Sequence, residues 1–416
     1  MNKVRFKILI IIWTILIIDL CLLINLVGRS RLDSSQTFSE IRSEVLKALD
    51  FKGLSLLFKK IAEDEGGAYG YRALAYAAQN YYLPSNIDAH LLGHVVGDVL
   101  YEQEGINGMK YCTDDLRNAC SHSIVVGAFL ELGRSAVTQA AGICKDAPGG
   151  RGAYSMCVHG LGHGVLASAE YDFDKAIELC RDLDGDNFKN REYVECVGGA
   201  TMEMMAGIHD RDQWEKQKIK FLPDSDPLAP CNRSSVGDEV KSICYTYLTP
   251  RLFQVAGADL GRPTSDDFKK AFKYCEKIPV TSVGDRQACF GGFGKEFVVL
   301  ANSRNVQSID KMSQDQLKLI YSWCYLTDNK SGRSDCIRTA LYSLYWGGEN
   351  DYHISINYCS ILEGQEEKDN CFKELLNLAT IYNVNAKINS KFCEDLPSEF
   401  KENCVKRLNN ESRENL

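Results

Sequence analysis

Asp267-Phe268-Lys269-Lys270-Ala271-Phe272-Lys273-Tyr274-Cys275, followed after a polar loop by Cys289-Phe290-Gly291-Gly292-Phe293-Gly294-Lys295-Glu296-Phe297-Val298-Val299-Leu300, is the stretch that decides the fold. A short amphipathic run ends on one cysteine, and a second cysteine opens a run of helical character. The unit therefore reads helix, loop, helix, with a disulfide stapling the two helices across the loop. Phe173-Asp174-Lys175-Ala176-Ile177-Glu178-Leu179-Cys180 opens another such unit, closed by Cys196.

The chain carries seventeen cysteines. With Cys21 set aside, the other sixteen fall into eight neighbouring pairs: 112/120, 144/157, 180/196, 231/244, 275/289, 324/336, 359/371 and 393/404. The second members recur every 33 to 48 residues, a spacing typical of helix-pair repeats. In such repeats one unit cannot bury its apolar face alone and stacks on its neighbours. Structural zinc sites use tighter cysteine spacing, so disulfides are the expected use and an oxidising compartment the expected location. The expected fold is all-α: an α-solenoid of disulfide-stapled helix pairs, tetratricopeptide-like in layout. No strand pattern of useful length competes with it.

At 416 residues, with 45% apolar and 25% charged residues, the composition is that of a folded globular protein. A net charge of −8 argues against a nucleic-acid partner, since phosphate binding needs a basic surface. Lys3, Arg5 and Lys7 precede an apolar run from Ile8 to Val27, long enough as a helix to cross about 30 Å of hydrocarbon. Gly28-Arg29-Ser30 is a poor cleavage site, so an uncleaved signal anchor is expected. Residues 1–7 would be cytoplasmic, 8–27 transmembrane and 28–37 a linker. The helical repeat domain would span 38–408 outside the cytoplasm, with a histidine-rich half over about 50–210 and a frayed polar tail at 409–416. The membrane would be a partner through the first helix.

Five of the seven histidines lie between residues 90 and 163. Two pairs have helical i,i+4 spacing, His90-Leu91-Leu92-Gly93-His94 and His159-Gly160-Leu161-Gly162-His163. Counting from each second cysteine, His122 and His159 stand at plus two and His163 at plus six. Taking Asp88 as zero in the first unit puts His90 and His94 at the same two positions. Stacked helices face alike, so the five imidazoles are expected to line one surface. Histidines converging from adjacent helices are how helical proteins build metal centres. Gly160, Gly162 and Gly164 would cost helix stability unless a neighbouring helix or a bound group approaches closely.

His90, His94, His122, His159 and His163 are thus the expected metal ligands, with iron, copper or zinc as the cofactor. Asp98 and Glu203 are the carboxylates expected to act as ligand, supporting group or general base, with Glu131 and Glu170 as weaker choices. Met202 would favour copper, although the run Met202-Glu203-Met204-Met205 reads more readily as core. His209 and His353 are expected to be structural or solvated. No His-Glu-x-x-His motif, nucleophile elbow, phosphate loop or haem attachment site is present.

Cys157-x-His-Gly-x-Gly-His163, His90-x3-His94 with Gly97, and Met202-Glu203 resemble a family of microbial extracytoplasmic helical-repeat proteins. The likeness covers about residues 50 to 210 and implies a pattern rather than an activity. Two functions remain open at this point. One is a metal site that binds or uses a transition metal, which would make the protein an enzyme or a metal binder. The other is a non-catalytic scaffold holding a protein, peptide or glycan on its concave face.

Overall fold

In the computed structural model, residues 39–414 are described, apart from positions 49, 85–86, 135–136, 184–190, 208, 210, 261, 305, 347–349 and 383–385. The expected anchor Ile8–Val27 and linker 28–37 lie outside these residues. Among the described residues there is no strand, and no helix is long and apolar enough to cross a membrane.

The N-terminal cap consists of α1 (Ser39–Val45), α2 (Phe51–Glu65) and α3 (Gly67–Gln79). Helix α4 (Ala89–Glu104) starts where the Asp88 carboxylate accepts the His90 and Leu91 N–H groups, the usual device for satisfying free amides at a helix start. After it come α5 (Ala119–Leu132), α6 (Val137–Ile143), α7 (Gly150–Ser168), α8 (Phe173–Arg181), α9 (Arg191–Ala206) and α10 (Arg211–Phe221). The C-terminal part holds α11 (Asp238–Tyr247), α12 (Thr249–Val255), α13 (Ser265–Glu276), α14 (Val283–Ala301), α15 (Gln314–Cys324) and α16 (Lys330–Tyr345). Helices α17 (His353–Ile361), α18 (Gln365–Tyr382), α19 (Ala386–Asp395) and α20 (Ser398–Glu414) complete the chain.

All eight neighbouring cysteine pairs are joined, with Cα atoms 5.4–5.6 Å apart. Such a set of bridges belongs to an oxidising, extracytoplasmic or secreted setting. Helix α4 and the helices that carry the second cysteines, most of them well inside the helix rather than at its start, stack in series, α4 on α5, α5 on α7, α7 on α9, α9 on α11, α11 on α14, α14 on α16, and on to α20. One continuous apolar core runs through the stack, with Phe272 lying 4.0 Å from Phe293 ring to ring at its C-terminal side. Helix α20 continues to Glu414, through most of the segment expected as a frayed tail. Between Cys404 and Glu414 there is neither Gly nor Pro to stop it.

Glycine sets the spacing of the stack. A Cβ on Gly199 would fall 1.8 Å from the His159 carbonyl oxygen, and one on Gly162 would fall 2.0 Å from that of Cys196. Helices α7 and α9 therefore touch backbone to backbone, which only glycine permits. The same register recurs farther on, where a Cβ on Gly294 would fall 2.0 Å from the Cys336 carbonyl oxygen. Of the two explanations open for these glycines, the structure supports the neighbouring helix.

The N-terminal units also meet the segment that follows α14. A 3-10 segment, Val306–Lys311, packs on α3, on α4 and on the Asp115–Asn118 turn. Arg117 lies over the Trp346 ring at 4.4 Å, and Lys311 over Tyr81 at 4.9 Å. These contacts bring residues 300–346 over the histidine-bearing helices and enclose the face on which the imidazoles converge.

Candidate metal centre

Helix α4 supplies His90 and His94, α5 supplies His122, and α7 supplies His159 and His163, all on the stacked face. Their rings form a contiguous cluster, with centroids 4.7 Å apart for His90–His94, 5.3 Å for His90–His122, 6.3 Å for His122–His163 and 5.3 Å for His159–His163. His209 joins it, 5.9 Å from both His94 and His163. Position 209 has no place in the helical register, so the repeat pattern could not point to it. It reaches the cluster because α9 ends and Gly207 turns at φ 62°, bringing the His209 amide back onto Glu203 Oε1 at 3.0 Å. His353 lies apart from the cluster, exposed between Asp351 and Asp395.

The hydrogen bonds assign the tautomers of His90, His163 and His209. His90 Nδ1 lies 2.7 Å from the Leu116 carbonyl, which can only accept, so Nδ1 carries the proton. His163 Nδ1 and His209 Nδ1 each donate to Glu203 Oε2 at 3.0 Å. At His94 the Nδ1 partner is Ser123 Oγ, 3.4 Å away, and the one Ser123 proton goes to the His94 carbonyl at 3.0 Å. The Asp98 carboxylate competes for that same proton.

In their neutral forms His90, His163 and His209 are thereby left with an unprotonated Nε2. His90 Nε2 lies 3.1 Å from His94 Nε2, where it accepts a hydrogen bond when His94 carries its proton there. Two nitrogens bound about 2.1 Å from one tetrahedral zinc would sit roughly 3.4 Å apart, so the spacing also suits a shared ion. His163 Nε2 and His159 Nδ1 are buried without a hydrogen-bond partner, and the buried His122 ring has only the Met156 main chain acting on it. Buried polar atoms are nearly always satisfied, and orphans grouped in one place call for a ligand.

Electrostatics favours the neutral, ligating form. Burial pushes the pKa of His94, His122 and His159 well below the ordinary imidazole value, and neighbouring imidazoles push in the same direction. His90 is lowered by burial too, against the pull of Asp88. Glu203 behaves oppositely. Burial would raise its pKa, but the His163 and His209 hydrogen bonds outweigh that and hold it well below the carboxylate range. His209 is raised by its bond to Glu203 in spite of burial.

Two groups among the described residues could hold a metal ion: His90, His94 and His122, and His163, Glu203 and His209, with donor atoms within 4.8 Å of one another in each. Glu203 takes four donors, from His163, from the ring and the main chain of His209, and from Tyr171 Oη at 2.5 Å. That makes it a support for two imidazoles, the arrangement in which a carboxylate fixes a ligating histidine from behind. Asp98 lies one turn beyond His94, exposed, where it and His209 act on one another electrostatically. Glu131 accepts from Tyr101 and Glu170 pairs with Arg134, both at the surface and away from the rings. Met202 lines the cavity next to the cluster, whereas Met204 is core.

Comparison of the chain with known protein families, with curated proteins and with solved structures finds no match.

Proposed function

We propose that this protein is a membrane-anchored, extracytoplasmic α-solenoid whose histidine cluster holds a transition metal for metal-dependent chemistry. The buried nitrogens of His159 and His163 that have no hydrogen-bond partner, grouped beside His90, His94 and His122, carry this reading. A packed polar seam, the ordinary alternative, would pair each nitrogen with a donor or acceptor, and here several are left without one. His90, His94 and His122 form one position. His163 and His209, braced by Glu203, form a second beside it, and His159 lies within reach of both His122 and His163. Imidazole donors suit zinc, copper or iron.

A cavity of about 220 Å³ reaches His90, His122, His159 and His163. A purely structural zinc site is closed by four protein ligands, whereas a site built for chemistry keeps a position open. The cavity supports the second kind.

The test is elemental analysis of the full-length protein, purified in detergent without chelators. The expected result is one to two transition-metal ions per chain, lost in His94→Ala and retained in His353→Ala. Protein that carries no metal, and takes up none of zinc, copper, iron or manganese, overturns the proposal. For the anchor, full-length protein should stay with membranes through a carbonate wash. An N-terminus beginning near Arg31 would show cleavage instead.

A further inference from the structure

Two methionines stand among the clustered histidines, Met156 on α7 and Met202 on α9. Counting from Cys196, Met202 is at plus six, the place that His163 holds on α7 and His94 on α4. Helices α7 and α9 touch backbone to backbone, so Met202 takes the histidines' register position on the next helix of the stack. Met156 comes one turn before His159, and its main chain acts on the buried His122 ring. Both methionines are half-buried and line the cavity that reaches His90, His122, His159 and His163. Met204, by contrast, is core, and Met205 has no place in that cavity wall.

Every cysteine among the described residues is closed in a disulfide. No thiolate is therefore at hand, and thioether is the soft donor that remains. Soft sulfur donors select monovalent copper, and imidazole suits copper as well. Zinc sites draw on thiolate, imidazole and carboxylate rather than on thioether.

Charge points to the same ion. The group formed by His90, His94 and His122 contains no carboxylate. Of the carboxylates that line the cavity, Asp88 caps α4 and Glu296 pairs with Lys295. Glu203 already takes four donors. Neutral ligands leave the full charge of an ion in a buried site, and the cost of burying charge rises with its square. A divalent ion would cost roughly four times as much there as a monovalent one.

We infer that the histidine cluster binds copper in its monovalent state, with the thioethers of Met156 and Met202 as ligands beside imidazole. The inference rests on the metal reading and names the ion that the site selects.

The experiment compares full-length, metal-free protein in detergent with a Met156→Leu/Met202→Leu double variant and with Met205→Leu. All carry Cys21→Ser, so that no thiol competes. Copper is offered as Cu(I) under ascorbate without oxygen, in competition with bicinchoninate, and zinc in competition with a chromophoric zinc chelator. The parent should hold Cu(I) at least about tenfold more tightly than zinc. The double variant should lose about tenfold or more in Cu(I) affinity and keep zinc within about twofold, which also shows that it folds. Met205→Leu should change neither. Copper-edge X-ray absorption of the Cu(I)-loaded parent should show a sulfur shell, and should the double variant lose zinc too, that shell decides. A parent that holds zinc or iron but no Cu(I), a double variant with the parent's Cu(I) affinity, or a copper shell without sulfur overturns the inference and leaves the metal reading standing. Protein that takes up no transition metal overturns both.

Discussion

Glu203→Gln keeps the shape of the side chain and removes only its charge and half its acceptor capacity. The carboxylate takes His163 Nδ1, His209 Nδ1 and the His209 amide at 3.0 Å each, and Tyr171 Oη at 2.5 Å. A glutamine amide offers one oxygen and one NH2 group, so one side of the group must face donors with a donor. The cheapest placement keeps the oxygen toward the two imidazoles. Tyr171 can then rotate its hydroxyl and accept, while the His209 amide loses its partner. The imidazoles keep their direction but lose the negative charge behind them. Removing a supporting group of this kind typically costs about 10–100-fold in metal affinity, or roughly 1.4–2.7 kcal/mol. Competition against a chromophoric chelator at pH 7.5 would measure it, with Glu131→Gln, whose carboxylate only meets Tyr101, as the unchanged control. Affinity within twofold of the parent would refute the supporting role. Complete loss of metal would refute it from the other side, by making Glu203 a direct ligand.

Acidification should weaken the metal-free protein. His94, His122 and His159 have folded pKa values below the unfolded value near 6.5, so between the two the unfolded chain binds more protons and stability rises with pH. Denaturant unfolding should therefore show stability falling as pH drops below about 6.5, and a flat profile from pH 7.5 to 5 would count against buried neutral imidazoles. Gly162→Ala places a Cβ 2.0 Å from the Cys196 carbonyl and must push α7 off α9. A loss of about 1–3 kcal/mol or more is expected, with weaker metal binding, and unchanged thermal stability would contradict the backbone contact. Replacing both Cys180 and Cys196 by alanine opens a bridge across 16 residues and should cost about 3 kcal/mol. Peptide mapping without reductant should recover the eight local bridges in the parent, and bridges between distant units would refute the repeat.

Much of the site was legible because the repeat is local. A disulfide spanning 8 to 16 residues is a short-range constraint that cysteine spacing reveals directly. Once units are aligned on those cysteines, i,i+4 periodicity puts His90, His94, His122, His159 and His163 on one face without any knowledge of the stack. The glycines were legible as a demand for close approach but not as to what approaches. That needed α9 in place, with Gly199 against the His159 carbonyl.

Sequence by itself determined the all-helical repeat, its staples and five of the six clustered histidines, because each follows from contacts within a unit or from a register shared by neighbours. Tertiary structure alone decided the rest. His209 enters through an irregular turn at Gly207, which no helical period encodes. Glu203 was visible as a carboxylate near the face, but its role rests on four donors drawn from three separate segments of the chain. The cavity is lined in part by Arg117 and Trp346, which meet across more than half the chain. That contact depends on the summed rotation of every intervening unit, a quantity set by packing between helices and written in no single stretch of residues.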